Sequence, residues 1–254
     1  MVELCALASG SNGNCYYIGN EREAILIDVG ISCKLLLKRF EESGLDFTKV
    51  KAIFITHEHA DHNRGTRVFS NRYHIPVYFT PGTYYGSSHS SRPTMYRFLQ
   101  IGQSFQLGDF TIHTFAKKHD SADPCSFRIE VGSSSIGVMT DIGVPCQNVI
   151  DHLKSSNILF LESNYDEKML WDGNYTWPLK KRIASDHGHL SNIQAFNLIN
   201  EHADSNLKTI ILSHLSGENN TPDLAYEVFM PLKEKYSIIR TSRHQASEVL
   251  RIAD

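Results

Sequence analysis

Ala52-Ile53-Phe54-Ile55-Thr56-His57-Glu58-His59-Ala60-Asp61-His62 joins an apolar run directly to a cluster of ionisable side chains. A short apolar run without alternation is expected of a strand buried on both faces. It leads straight into His57, His59, Asp61 and His62, where the backbone leaves the sheet and side chains can converge. His57 and His59 stand two apart, so in an extended segment they project to one side and can chelate one ion. Asp61 and His62 follow where the chain turns into a helix and can reach a second. A chance match to this pattern in a chain of this composition is on the order of 10⁻³. The cluster can therefore seed two metal sites, but it completes neither shell.

The missing ligands are expected at the ends of other apolar runs. His119 follows Phe110 to Phe115 and the Lys117-Lys118 pair, Asp141 follows Gly137-Val138-Met139-Thr140, and His214 follows Ile210-Ile211-Leu212-Ser213. Each sits where the rim of a buried sheet would place it. Asp28 closes Ala24-Ile25-Leu26-Ile27 in the same way, and a carboxylate there can orient a ligating histidine without touching metal.

Further out, strands are predicted over Glu3 to Ala8, Cys15 to Ile18, Ala24 to Asp28, Val77 to Thr80, Ser126 to Val131, Ser135 to Thr140, Ile158 to Glu162 and Thr209 to Ser213. Helices are predicted over Cys33 to Ser43, with Ser32 as cap and Gly44 past the end, and over Asn63 to Tyr73, Gln147 to Ser155, Asn192 to His202 and Asp223 to Tyr236. The turn from Ser9 to Asn14 reads as too small and polar for the core. Strand-rich halves, each finished by helices, predict an α/β layered sandwich with helices outside, in one domain over residues 1–254. The stretches 82–100 and 165–185 read as irregular.

Composition narrows the function. Twenty-five basic residues against 28 acidic ones give a net charge of −3, which excludes a basic coat for gripping nucleic acid. No stretch approaches the ~20 apolar residues of a membrane span, and the start does not resemble a signal peptide. Five cysteines without a C-x-x-C fit reduced thiols, and a cytoplasmic location is expected.

Asp28, His57-x-His59-x-Asp61-His62, His119, Asp141 and His214, in that order, resemble the signature of the metallo-beta-lactamase fold, over most of the chain. The resemblance implies a four-layer αββα sandwich with a dinuclear site at one edge. It implies one metal on His57, His59 and His119, a second on Asp61, His62 and His214, and Asp141 bridging both. An Asp rather than a Cys at 141 is similar to the phosphodiesterase branch that contains ribonuclease Z. Leu7 to Cys15, Leu161 to Asp166, Gly188 to Asn192 and Ser213 to Ser216 resemble the YycJ/WalJ group of bacterial proteins, which implies a DNA exonuclease working 5′ to 3′.

Nitrogen and oxygen ligands without thiolate suit two divalent ions, Zn²⁺ or Mn²⁺. Such a pair acidifies a shared water and stabilises charge at phosphorus, with Asp61 orienting the hydroxide. His189, before the Ser191-capped helix, is the candidate to protonate the leaving group, and His187 ranks second; ribonuclease Z carries a similar histidine. Ser11, Asn12 and Asn14 in the first turn, and Lys180, Lys181 and Arg182, are candidate substrate contacts. Tyr84, Tyr85, Tyr96, Trp171, Tyr175 and Trp177 are candidate stacking platforms. His74, His113, His152, His202 and His244 are expected to be surface or satisfied core residues. The expected partner is therefore a DNA substrate, with no membrane; oligomeric state is not set. Two other readings stand beside it: hydrolysis of a small cyclic phosphodiester, thioester or lactone, and a non-catalytic metal-stabilised binding module.

Overall fold

A computed structural model of the chain describes residues 1–253. Two seven-stranded sheets lie face to face. The first holds β1 (Val2–Ala8), β2 (Cys15–Gly19), β3 (Ala24–Ile27), β4 (Val50–Phe54), β5 (Val77–Phe79) and β6 (Tyr96–Phe98). The second holds β7 (Ser104–Leu107), β8 (Phe110–Ala116), β9 (Cys125–Val131), β10 (Ser134–Met139), β11 (Ile158–Glu162), β12 (Thr209–Ser213) and β13 (Ser237–Arg240). The last strand, β14 (Leu250–Ile252), returns to the first sheet and pairs antiparallel with β1.

The pairing pattern fixes where a site can form. β3, β4, β5 and β6 run parallel in one sheet, and β10, β11, β12 and β13 run parallel in the other. Parallel strands release their chains at the same end, and open sheets of this kind gather ligands beyond the carboxyl ends of their strands. The residues just past β3, β4, β10, β11 and β12 therefore share one rim.

Burial explains the layering. Ile25, Ile27, Phe54, Phe127, Ile129, Val138 and Phe160 form the core between the sheets. On the outer face of the first sheet, Leu26, Ile53 and Val77 pack with Leu36 and Phe40 of α1 (Cys33–Ser43) and Phe69 of the helix after β4. The second sheet turns Leu159, Leu161, Ile210 and Leu212 onto its own helices. The result is the αββα sandwich, and Leu and Ile alternate between the two cores because successive strand residues face opposite sides.

Local chemistry sets the helix ends. Ser32 caps α1 by accepting from the Leu35 N–H, and Gly44 closes it at φ 67°. The helix predicted over Asn63 to Tyr73 is two helices, α2 (Ala60–Asn63) and α3 (Thr66–Tyr73). They break at Gly65, where a Cβ would overlap the Ile31 carbonyl oxygen. The expected irregular stretches contain α4 (Pro81–Gly86) and β6, and then α6 (Glu167–Asp172) and α7 (Trp177–Ile183); α5 is Gln147–Lys154 and α8 is Asn192–His202. The last predicted helix stops early: α9 spans Pro222–Phe229, and Met230–Leu232 form a 3-10 turn. Pro231 has no N–H to continue an α-helix. The first turn also departs from expectation, because Ser9, Gly10, Gly13 and Asn14 are buried.

Candidate metal centre

Chains leaving both sheets bring the histidines together. β4 ends at Phe54, and the extended stretch after it carries His57 and His59 before α2 begins. His57 Nε2 lies 3.1 Å from His59 Nδ1, and His119 Nε2 lies 3.3 Å from the same atom. From the second sheet, Asp141 follows β10 and His214 follows β12. Asp141 Oδ1 is 3.2 Å from His214 Nε2 and 3.7 Å from His119 Nε2, and its Oδ2 is 3.2 Å from His62 Nε2. Asp61 Oδ2 is 3.4 Å from His62 Nε2. The structure thus collects His57, His59 and His119 in one group and Asp61, His62 and His214 in another, each with ligand atoms within 4.8 Å, and Asp141 touches members of both.

Three of these strand ends carry strain. Asp28, Asp141 and His214 adopt φ values of 62°, 57° and 56°, a region that non-glycine residues rarely occupy. Such outliers persist only where surrounding contacts over-determine them, and they gather at functional sites. The left-handed residue turns each chain sharply at the rim, which is how these side chains reach the centre.

The histidines are held in one protonation pattern. Thr56 Oγ1 donates to Asp28 Oδ2 at 2.9 Å, so it accepts from His57 Nδ1–H at 2.9 Å. His62 Nδ1–H donates to Asp28 Oδ2 at 2.7 Å, and His119 Nδ1–H to the Gly188 carbonyl at 3.0 Å. His214 Nδ1–H donates to Asn14 Oδ1 at 3.1 Å. In each ring the outer nitrogen carries the proton, which turns the Nε2 lone pair inward. Lone pairs and carboxylate oxygens facing one another at 3.1 to 3.7 Å repel unless a cation stands among them.

Charge agrees. Burial, aided by Lys117 and opposed by Asp141, pushes His119 down to about 3 and holds His57 well below its ordinary value, so both stay neutral and ready to ligate. Burial alone would also lower His62. The carboxylates of Asp141, Asp61 and Asp28 overcome it and raise His62 well above its ordinary range, so the cavity calls for positive charge at Nε2. Burial would raise Asp141, yet His214 and His62 hold it well below the carboxylate range, and with His62 neutral no hydrogen-bond donor reaches its buried Oδ2. Neutral imidazoles, anionic carboxylates and an orphaned oxygen together fit divalent cations and leave no role for thiolate chemistry.

Asp28 is fully buried behind the centre, where its carboxylate accepts from Thr56 N, Thr56 Oγ1 and His62 Nδ1. His189 and His187 separate cleanly: His187 is exposed, whereas the His189 ring lies 5.3 Å from the rings of both His119 and His214. His189 Nδ1–H donates to Glu162 Oε1 at 2.7 Å. Burial opposes protonation of His189, but Glu162, Asp141 and Asp61 outweigh it and raise its pKa. Ser11 and Asn12 are exposed at the tip of the first turn. Asn14 is instead buried, with its carboxamide bonded to Gly10, Tyr16, His62 and His214. Lys180 directs its amine to the Trp171 carbonyl at 2.7 Å, Lys181 lies over the Trp177 ring, and Arg182 pairs with Asp120.

Two supports escape a reading of the sequence. Glu162, the last residue of β11, receives His189 on one oxygen, and Ile142 N and Leu190 N on the other. It thereby ties the Asp141 loop to the His189 loop. Its position at the end of a buried apolar run is the same signal that marks Asp28, and it could have been found that way. Ser9 Oγ accepts from His214 N at 2.8 Å and sets the angle of that strained residue; nothing in its sequence context announces this.

The family described as the beta-lactamase superfamily domain matches residues 23–215, which include every candidate metal ligand together with Asp28, Glu162 and His189. Exodeoxyribonuclease YycJ of Bacillus anthracis is 34% identical over 238 residues, 92% of this chain and 90% of its own. Exodeoxyribonuclease WalJ of Streptococcus pneumoniae is 32% identical over 228 residues, 87% and 84% of the two chains. Among solved structures, the metallo-beta-lactamase fold protein YhfI from Bacillus subtilis superposes with a TM-score of 0.73 at 17% identity, over 98% of each chain.

Proposed function

The chain belongs to the beta-lactamase superfamily, and on that premise we propose that it is a metal-dependent phosphodiesterase that degrades DNA as an exonuclease from the 5′ end. The observation that carries the reading is Asp141, which stands between the two groups: its Oδ1 lies 3.7 Å from His119 of one and 3.2 Å from His214 of the other, and its Oδ2 lies 3.2 Å from His62. His57, His59 and His119 would hold one ion, and Asp61, His62 and His214 the other, with Asp141 shared; zinc and manganese both suit the donors. When bound, such a pair supplies a water acidified toward neutrality and positive charge at the phosphate oxygens.

The chain's own groups do the rest. Asp61, half-buried with its Oδ2 3.4 Å from His62 Nε2, would orient the attacking water by accepting its hydrogen bond. Glu162 holds His189 by its Nδ1 proton and favours the charged ring, so Nε2–H stands ready to protonate the departing oxygen. Glu162 itself is a poor ligand because both its oxygens are already occupied. Asp28, Thr56, Asn14 and the Gly188 carbonyl keep four rings in the ligating tautomer. The named exodeoxyribonuclease relatives, aligned over nine-tenths of one chain, support DNA as substrate.

The test is digestion of end-labelled oligonucleotides by EDTA-treated protein with zinc or manganese added back, beside a panel of small cyclic phosphodiesters, thioesters and lactones. Stepwise shortening from the 5′ end, restored by metal, is expected. Turnover of the small esters with intact oligonucleotides would overturn it.

A further inference from the structure

We propose that Arg243 anchors the terminal phosphate monoester of the strand being degraded, so that the protein selects phosphorylated ends. The inference rests on the exonuclease reading and deepens it.

Topology puts Arg243 at the site. β13 runs parallel to β12, so its chain emerges on the rim where His214 emerges from β12. Thr241 Oγ1, just past β13, donates to the Leu212 carbonyl at 2.8 Å and holds the next residues against that rim. Arg243 then packs between Gly10 of the first turn and Gly217, three residues past His214. A Cβ at position 217 would overlap Arg243 Nη1, and one at position 10 would lie 3.2 Å from Arg243 Cβ. Glycine at 217 leaves the space the guanidinium occupies, and Gly10 makes a tight approach to the Arg243 stem.

The guanidinium has nothing to bind. Every other arginine in the described residues meets a carboxylate, a carbonyl or an aromatic ring. Arg243 has none of these, and its Nε is buried without an acceptor. With no protein acceptor on its Nη groups either, the hydrogen-bonding capacity of the guanidinium is left for a ligand. A planar, permanently charged fork suits a phosphate, which it can grip through two parallel N–H bonds. Exposed Ser11 and Asn12 on the adjoining turn add a hydroxyl and an amide. An exonuclease must distinguish an end from the interior of a strand, and the terminal phosphate, with its extra negative charge and extra oxygen, is the chemical difference.

The test uses one oligonucleotide sequence with a phosphate at its 5′ end, a phosphate at its 3′ end, or hydroxyls at both. KM and kcat are measured with metal restored, and equilibrium binding to the EDTA-treated protein is read by fluorescence anisotropy. The wild type is expected to favour the 5′-phosphorylated strand by about tenfold or more in KM and in binding, as a charged hydrogen bond of ~1.5–3 kcal/mol implies. Arg243→Gln should bring that ratio near one, and Arg243→Lys should recover part of it. A preference for the 3′ phosphate would keep the anchor and reverse the end it reads. Equal handling of all three strands by the wild type, or a preference that survives in Arg243→Gln, overturns the anchor alone. If no oligonucleotide is cut or bound, the nuclease reading falls and the anchor falls with it.

Discussion

The molecule has two histidine clusters of opposite character. At the rim, His57, His62, His119 and His214 each give a proton outward to Thr56, Asp28, Gly188 or Asn14, and their remaining nitrogens converge. On the flank of the second sheet, His113 of β8 and His152 of α5 meet Arg128 and Glu130 instead. There His152 stacks on Phe115 at 4.0 Å and accepts from Arg128 Nε, so its free nitrogen bears the proton. Both clusters are partly buried and both touch carboxylates. What separates them is the direction of the lone pairs, which the outer hydrogen-bond partners decide.

Predictions that attack this contrast run from large effects to small. Asp141→Asn removes the shared charge, and cleavage should fall at least about a thousandfold, with metal content falling as well. His152→Gln, tested beside it by elemental analysis, should keep the metal. His189→Ala should lower kcat by roughly 10²–10⁴ with metal content retained, since its Nδ1 is engaged by Glu162. Loss of metal in that variant would move His189 into the ligand set. Asp28→Asn should weaken metal binding about 10–100-fold in competition with a chelator, because the His62 ring loses its carboxylate anchor.

Stability offers two gentler tests. Metal at a hundred times its Kd should raise unfolding free energy by about 2.7 kcal/mol per filled site over the EDTA-treated protein, readable as a higher Tm. The flank cluster should show in acid. Burial first, then Arg128 and His113, push His152 down to about 4, whereas an unfolded histidine protonates near 6.5. The unfolded chain thus binds the extra proton, and stability is lost as pH falls from about 6.5 toward about 4. His152→Gln should remove only its own share of that slope, since His57 and His119, also held below their ordinary values, add to it in the EDTA-treated protein.

Much of this was readable in the chain. Asp28, His57, Asp141 and His214 follow apolar runs, and parallel strands deliver such positions to one rim. The layers followed because Leu26 or Ile53 on one face and Ile27 or Phe54 on the other each have a buried surface to meet. What stayed hidden depends on non-local contact. The helix breaks at Gly65 because its N–H leaves the helical ladder for the Val29 carbonyl at 2.9 Å, and Asn14 is core because His62 and His214 surround it. The edge strands β6, β7, β13 and β14 carry three or four residues each, too few for a period to declare itself. Glu162 looked like the end of a strand, and its grip on two loops appears only once β10 and β11 pair.

The most direct measurement is diffraction from crystals grown with zinc or manganese, collected at the metal's absorption edge. Two anomalous peaks about 3.5–4 Å apart are expected, one among His57, His59 and His119, the other among Asp61, His62 and His214, with Asp141 between them. A single peak enclosed by Asp141, Glu162, His189 and His214, or no peak at the rim, would contradict the account.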